Sequence, residues 1–207
     1  MGDKNTEESI YGVKASYLES YLGNEEARKI IPIWKKCQTR HNMNFNIAAF
    51  LFDVIWYFHK GVYKAGVIFL AVMLIVPNVL GAVAGVISME NTIKYYNENV
   101  IVHIVNGVTV APDQMGAVSL VNSFYITFII TSLIIKLISA LFFDYLYFKK
   151  VKYCIFYELA GMKDMNDDES VSDCLSRAGK HRETKEKGIR TGIITGYIII
   201  YLLRFIF

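Results

Sequence analysis

Cysteine and proline are both scarce in this 207-residue sequence, with three of each. The cysteines, Cys37, Cys154 and Cys174, are odd in number and form no Cys-x-x-Cys pair, which argues against a disulfide framework and a zinc ribbon. The net charge of +3 is too small to indicate a nucleic-acid partner, and the lysines and arginines are not gathered on one basic helix. Residues 1–40 are polar and mixed in charge, so we expect no cleavable signal peptide.

Common catalytic and metal-binding patterns are also missing from the sequence. The histidines are far apart, and no His-x-x-x-His or Glu-x-x-His spacing favours a metal site. Neither a Gly-x-Ser-x-Gly motif, nor a phosphate-binding glycine loop, nor an intramembrane carboxylate pair occurs. We therefore predict that the protein is not an enzyme and uses no metal or other cofactor.

Long uncharged apolar stretches are the dominant feature of the sequence. No charged residue lies between Lys64 and Glu90, and none lies between Asp113 and Lys136. A helix needs about 20 apolar residues to cross the hydrocarbon core of a membrane, and both stretches reach that length. A shorter apolar stretch closes the sequence at 191–207. The pattern predicts an all-α membrane protein with three transmembrane helices.

An aromatic-rich segment at 45–64 precedes the first of these spans. Its polar residues Asn46, Asp53 and Lys60 are spaced by seven, which places them in one narrow stripe on an otherwise apolar helix. Such a helix lies in the membrane interface with its stripe toward water. The alternative is a helix buried in the bundle, with Asp53 paired to a lysine.

Shorter signals predict the elements outside the spans. An amphipathic helix is expected at 6–22, and a second helix, capped by Asn24, should be bent or ended by Pro32. β-branched runs flank Asn106-Gly107, the strongest short-range signal for a β-hairpin. A helix at 170–177 is expected to stop at Gly179.

The predicted segments can be oriented from the lysines and arginines, which mark the cytosolic side of a membrane protein. Basic residues flank the first span on its N-terminal side and fill the segment between the second and third spans, whereas 88–113 has only Lys94. The N-terminus is therefore predicted in the cytosol and the C-terminus outside. The predicted organisation is a cytosolic helical arm (1–44) and a membrane domain (45–207), the latter divided into an interfacial helix (45–64), span 1 (65–87), an outer loop with a hairpin (88–113), span 2 (114–143), a cytosolic insert (144–190) and span 3 (191–207).

Small residues within the spans predict where the helices pack. Glycine and serine let helix backbones approach closely in lipid, so pairs of them at matching depth indicate a close crossing. The alternative is that one pair forms a homodimer. Lys136 is the only charge well inside an apolar region, and it is either a functional intramembrane group or a side chain that reaches the headgroups. The residues predicted to pack are Gly81, Gly85, Ser119, Ser123, Gly192 and Gly196.

The stretch from 45 to 63 resembles the hallmark of a bacterial family of small multi-pass inner-membrane proteins catalogued only as a domain of unknown function. That hallmark reads Phe-Asn-x-Ala-Ala-Phe-x-Phe-Gly-Pro-x-Trp-x-x-Tyr-Arg-Lys-Met-Tyr and leads directly into a span. Weaker similarities lie at Leu22-Gly23-Asn24 and at 147–152. The matching residues are, in order and without a gap, Phe45, Asn46, Ala48, Ala49, Phe50, Phe52, Trp56 and Tyr63.

The chain also departs from this hallmark. Asp53-Val54 stands where the family has Gly-Pro, so the family's turn is expected to be absent and the helix continuous. The resemblance implies a bacterial cytoplasmic-membrane protein, but it implies no activity and no catalytic residue.

Together these features predict a non-enzymatic accessory or binding component of the bacterial cytoplasmic membrane. Its partners would be the lipid bilayer and a protein on the cytosolic side, and the chain could form a homo-oligomer; no nucleic acid is expected. The alternative function is a subunit of an oligomeric channel or transporter, since three helices alone enclose little space.

Overall fold

The computed structural model describes residues 9–40, 44–99, 104–105, 108–109, 112–162 and 167–206. The chain is mostly helical, as predicted, with two small antiparallel hairpins. Its elements are, in chain order, β1 (Ser9–Ile10), β2 (Val13–Lys14), α1 (Ala15–Leu22), α2 (Asn24–Arg40), α3 (Ile47–Phe52), α4 (Val54–His59), α5 (Tyr63–Asn99), β3 (Ile104–Val105), β4 (Val108–Thr109), α6 (Pro112–Ala160) and α7 (Asp168–Ile206).

The described N-terminal segment differs from the helix predicted at 6–22. β1 pairs with β2 through a two-residue turn, and helix begins only at Ala15. Tyr11 and Gly12 in the turn have φ of 47° and 81°, the double positive φ that suits a two-residue hairpin. The apolar spacing that suggested a helix instead places Ile10 and Val13 side by side in the core, at 1% and 2% exposure.

The second helix, α2, continues through Pro32, the residue expected to bend or end it. Glu25 and Glu26 lie in its first turn, where acidic side chains favour a helix start. Pro32 does not end it, because the helix continues to Arg40. Its inward face carries Ala27 and Trp34, both 2% exposed.

The segment at 45–64 is two short helices rather than one. α3 ends at Phe52 and α4 starts at Val54, with Asp53 between them at φ 49° and ψ −130°. The chain therefore breaks at the position where the family hallmark has Gly-Pro, and the continuous helix predicted here is wrong. The polar stripe does not face water either, because Asp53 is 7% exposed and Asn46 and Lys60 are half-buried.

Contact clustering divides the chain into two compact units. Unit 1 comprises Met1–Gly66 and Ser139–Phe207, and unit 2 comprises Val67–Ile138. The core of unit 1 is a set of buried aromatic and aliphatic side chains from both ends of the sequence. Its fully buried members include Leu18, Trp34, Tyr57, Phe143, Val151, Ile155, Val171 and Leu175.

Unit 2 contains most of the two longest apolar stretches of the chain. α5 runs three turns beyond the predicted end of span 1, through Pro77 and on to Asn99. The predicted hairpin is confirmed, with Ile104 opposite Thr109 and Val105 opposite Val108. The stretches Tyr63–Tyr95 and Met115–Ala160 are long and apolar enough to span a membrane. Only 11% and 22% of their most apolar windows are buried, whereas the core helix of a soluble protein would be mostly buried.

The last helix, α7, is continuous from Asp168 to Ile206. Gly179 does not end it, contrary to prediction. Instead, Gly179 lies where α1 packs on α7, and a Cβ placed there would overlap the Tyr21 carbonyl oxygen. A third span at 191–207 stays a prediction, because two helices in the described part of the chain are long and apolar enough to cross a membrane and α7 is not one of them.

Substitution of Gly179 by alanine should separate α1 from α7. Alanine normally stabilises a helix relative to glycine by about 1 kcal/mol, but the overlap with Tyr21 should instead cost about 1–3 kcal/mol. Gly188→Ala is the matched control in the same helix, since a Cβ at Gly188 meets no described atom within 4 Å. Thermal unfolding of the purified protein in detergent should show a lowered midpoint for Gly179→Ala and an unchanged or raised one for Gly188→Ala. Equal midpoints in both variants would contradict the packing.

Candidate functional site

The stretch at 45–63 that resembles the family hallmark is called the motif segment below. Asp144 of α6 holds the start of this segment in place. Its two carboxylate oxygens accept hydrogen bonds from the side-chain amides of Asn44 and Asn46, at 2.6 and 2.8 Å. Asn46 also caps α3, because its side-chain oxygen accepts from the Ala49 amide at 2.9 Å. Its own backbone N–H donates to the Ala140 carbonyl at 3.1 Å. Asn46 thus joins the start of α3 to α6 through one bond to α3 and two bonds to α6. The 8% exposed Asp144 has the partners that a buried carboxylate requires.

One turn after the break at Asp53, Tyr57 makes a second connection to α6. Its hydroxyl donates to the Ser139 carbonyl at 2.7 Å, and its ring meets Phe143 edge-on at 5.0 Å. Burial raises the pKa of Tyr57 to about 12, so the hydroxyl stays a hydrogen-bond donor at physiological pH. The buried hydroxyl has the partner that a polar atom in a core needs.

The other motif residues divide between the inside and the outside of unit 1. Ala49 is fully buried where α3 meets the core, which leaves no room there for a larger side chain. Phe45 and Phe52 are 40% and 56% exposed, and Phe52 stacks on Trp56 at 6.3 Å between ring centroids. Ile47 and Leu51 are still more exposed, at 65% and 64%. The outer surface of α3 is therefore apolar, its buried residue is the small Ala49, and the polar residues Asn46 and Asp53 flank it at either end.

The last residue of the polar stripe, Lys60, belongs to an ionic cluster. Its ammonium pairs with Glu26 of α2, and the Tyr147 hydroxyl donates to the same carboxylate oxygen at 2.9 Å. The Lys60 ammonium also lies 5.6 Å from the centroids of the Trp56 and Tyr147 rings, within the range of a cation–π contact. The alternative interpretation of the stripe paired Asp53 with a lysine; the lysine of the stripe itself, Lys60, pairs with Glu26 of α2.

Lys150 and Glu186 extend this cluster to α7. The Lys150 ammonium donates to the Lys60 carbonyl at 3.0 Å and to Glu186 at 3.2 Å. The second oxygen of Glu186 accepts from the Arg182 Nε at 2.8 Å, and the Arg182 guanidinium also contacts the Cys154 sulfur. Glu186 is 7% exposed, so its charge is compensated by two cations rather than by water.

Gly61 allows these groups to meet. Its φ is 67°, a conformation that glycine adopts without strain. A Cβ at this position would overlap both the Glu186 carboxylate and the Lys150 ammonium. A side chain at position 61 would therefore have to displace the ends of Lys150 and Glu186, and with glycine there the link between α4 and α5 passes over the ion pair without moving it.

The cluster borders an open space in unit 1, which we call the charged cavity. Its volume is about 220 Å³, and its wall includes Tyr21, Gly23, Lys60, Tyr147, Lys150 and Arg182. Leu22-Gly23, Lys60 and the 147–151 segment come from the three stretches that resemble the bacterial family. Residues far apart in the sequence thus meet at one cavity.

Lys60 belongs to the predicted polar stripe. The sequence analysis does not predict the other site residues, which are Glu26, Lys150, Arg182 and Glu186. A signal for one pair was present, because Arg182 and Glu186 are four residues apart on a helix face. That spacing is common on solvated helices, and only the fold distinguishes this pair from the exposed Asp173–Arg177 pair. No group of three or more potential metal ligands occurs among the residues that the structure describes.

The predicted packing residues differ in their surroundings. Gly81 and Gly85 lie against Phe124 and Leu120 of α6; a Cβ at Gly85 would lie 3.0 Å from the Leu120 carbonyl oxygen. Ser119 hydrogen-bonds Ser88 within unit 2, and Ser123 is half-buried.

Gly192 and Gly196 differ, because a Cβ on either would meet no described atom within 4 Å. Lys136 is half-buried, and no described residue forms an ion pair with it. The structure thus brings Gly81 and Gly85 close to a second helix within unit 2.

Comparison with known proteins assigns neither a family nor a function to the chain. No family model, curated protein or solved structure matches the chain. The family resemblance therefore stays an expectation, and the site has to be interpreted from its own chemistry.

Replacing Glu186 by glutamine should destabilise unit 1, because Lys150 and Arg182 would keep their charges without the carboxylate between them. Loss of one partner from a buried ion pair costs about 3 kcal/mol, or roughly 5–10 °C in melting temperature for a chain of this size. Asp173→Asn removes a carboxylate from an exposed pair on the same helix and should change the melting temperature by less than about 2 °C. Equal melting temperatures for the two variants would show that Glu186 is not buried between the cations.

Proposed function

We propose that the chain is a multi-pass integral membrane protein of a bacterial cytoplasmic membrane and that it is not an enzyme. In this proposal it works by binding a second protein through the water-side part of unit 1. The membrane location is supported by the two long helices, whose apolar side chains point outward over most of their length. The family resemblance of the 45–63 motif supports the bacterial assignment.

The proposed orientation has the N-terminus in the cytosol and, with a third span at 191–207, the C-terminus outside. Its support is the distribution of lysines: Lys149, Lys150 and Lys152 follow span 2, whereas the outer loop has only Lys94. The N-terminal arm, the end of α6 and the first half of α7 would then share the cytosolic side. These segments form one folded unit rather than a loose arm and a loose insert.

The observation that carries the binding role is a row of exposed tyrosines on α6, which we call the tyrosine face: Tyr145, Tyr153 and Tyr157. They are 57%, 71% and 69% exposed and stand at intervals of eight and four residues, so they lie on one side of the helix. Tyrosine is enriched in protein–protein interfaces, because its ring buries a large area at low entropic cost.

The length of the tyrosine face favours a protein over the membrane as its partner. Twelve residues separate Tyr145 from Tyr157, or roughly 18 Å of helix. The headgroup layer on one side of a bilayer is only about 5–8 Å thick, so a helix leaving the membrane would carry most of the tyrosine face beyond it. Lys149, exposed between the tyrosines, favours a partner with acidic residues.

Site-specific photo-crosslinking in living cells tests this proposal. A photoreactive phenylalanine analogue in place of Tyr153 or Tyr157 should capture one and the same cytosolic protein. That protein should co-purify with the unmodified chain and be lost from the Tyr153→Ser, Tyr157→Ser double variant. The analogue in place of Tyr95, exposed near the far end of α5, is the matched control and should not capture it.

Two results would contradict the proposal. Capture of an extracytoplasmic protein from position 153 would overturn the orientation. A pure homo-oligomer that conducts ions in liposomes, and stops doing so when Lys136 is replaced by leucine, would replace the binding role with that of a channel subunit.

A further inference from the structure

We infer that the charged cavity binds a small oxyanion of the phosphate class, either a free phosphate monoester or the phosphate of a lipid headgroup. The site is separate from the tyrosine face, so this inference goes beyond the proposed protein-binding role. Four features support it: the charge of the wall, the hydrogen-bond donors it offers, the volume, and the position of the cavity along α6.

The wall of the cavity carries more positive than negative charge. Four cationic side chains outnumber three carboxylates, which leaves a net charge of +1 at neutral pH. The cations are Lys60, Lys150, Lys180 and Arg182, and the carboxylates are Glu26, Glu183 and Glu186.

The inner carboxylates already have their partners. One oxygen of Glu186 accepts from Arg182 and the other from Lys150, and Glu26 accepts from both Lys60 and Tyr147. An ammonium offers three N–H donors and a guanidinium five, so the cations have more donors than these bonds use. A ligand with several acceptor oxygens, such as a phosphate, can take the remaining donors.

Two exposed residues of α7 stand at the rim of the cavity with opposite charges. Lys180 and Glu183 both line it, and no residue within the described ranges forms an ion pair with either one. A bound anion would be attracted by Lys180 and repelled by Glu183. Because both side chains are exposed, either charge can be removed without disturbing the core.

The volume limits the ligand to a small one. About 220 Å³ is below the range of about 300–1,000 Å³ typical of sites for drug-sized ligands. Inorganic phosphate or glycerol 3-phosphate matches this space, whereas a nucleotide is too large.

The position of the cavity along α6 makes a lipid headgroup one of the two candidate sources of the bound phosphate. Tyr147 and Lys150 lie four and seven residues beyond Phe143, or roughly 6 and 10 Å along α6. If span 2 ends near Phe143, as the proposed function has it, these side chains stand at or just beyond the level of the headgroup phosphates. A free phosphate monoester would enter the same cavity from the cytosol.

The test is calorimetric titration of the purified full-length chain. In detergent, the probes are inorganic phosphate and glycerol 3-phosphate, with glycerol as the uncharged control. In nanodiscs, phosphatidylglycerol is compared with phosphatidylcholine, and thermal stabilisation reports binding. Binding in the first arm identifies a free phosphate as the source, and stabilisation by phosphatidylglycerol alone identifies a headgroup.

Variants at the rim of the cavity distinguish binding at this site from a general attraction of anions to the protein. Lys180→Gln should weaken binding about three- to tenfold and Glu183→Gln should strengthen it about two- to fivefold, as expected for single partly exposed charges. Arg177→Gln, which removes an exposed charge on the same helix away from this cavity, should leave the affinity unchanged. Absence of binding in both arms, or identical affinities for the two rim variants, would overturn the inference. Neither result would affect the photo-crosslinking test of the protein partner.

Discussion

The hydrogen bonds from Asn44 and Asn46 to Asp144 set the arrangement on which unit 1 depends. A carboxylate that is 8% exposed is stable only when its oxygens have donors, and both donors come from the segment that leads into α3. With Asn46 held against α6, the side chains of Asp53 and Tyr57 further along the segment also face protein. The apolar side chains Ile47 and Leu51 are then left on the outside.

Much of the fold could be predicted from the sequence, because its signals are local. Uncharged runs indicate the long helices, and Asn106-Gly107 between β-branched residues indicates the hairpin that the structure confirms. The direction of the polar stripe could not be predicted in this way. A spacing of seven shows that Asn46, Asp53 and Lys60 share a side of a helix, but whether that side meets water or protein depends on partners about 100 residues away.

The candidate site could not be predicted from the sequence for the same reason. Lys150 and Glu186 are 36 residues apart, and Lys60 and Glu26 are 34 apart, so their pairing depends on how α2, α6 and α7 pack. Local rules interpret Gly179 as a helix stop and give no role to Gly61. In the structure both are places where a side chain would overlap another element. The packing of unit 1 thus both creates the charged cavity and explains these glycines.

The central claim is that the motif segment turns its polar side to protein and, in the membrane location proposed above, its apolar side to lipid. Spin labels at Ile47→Cys and Leu51→Cys test it most directly, in a background that lacks the half-exposed Cys37 and Cys174. Reconstituted in a bilayer, both labels should collide readily with oxygen and poorly with a water-soluble nickel chelate. A label at the exposed Glu169 should show the opposite behaviour. Chelate accessibility at 47 and 51 equal to that at 169 would contradict the account.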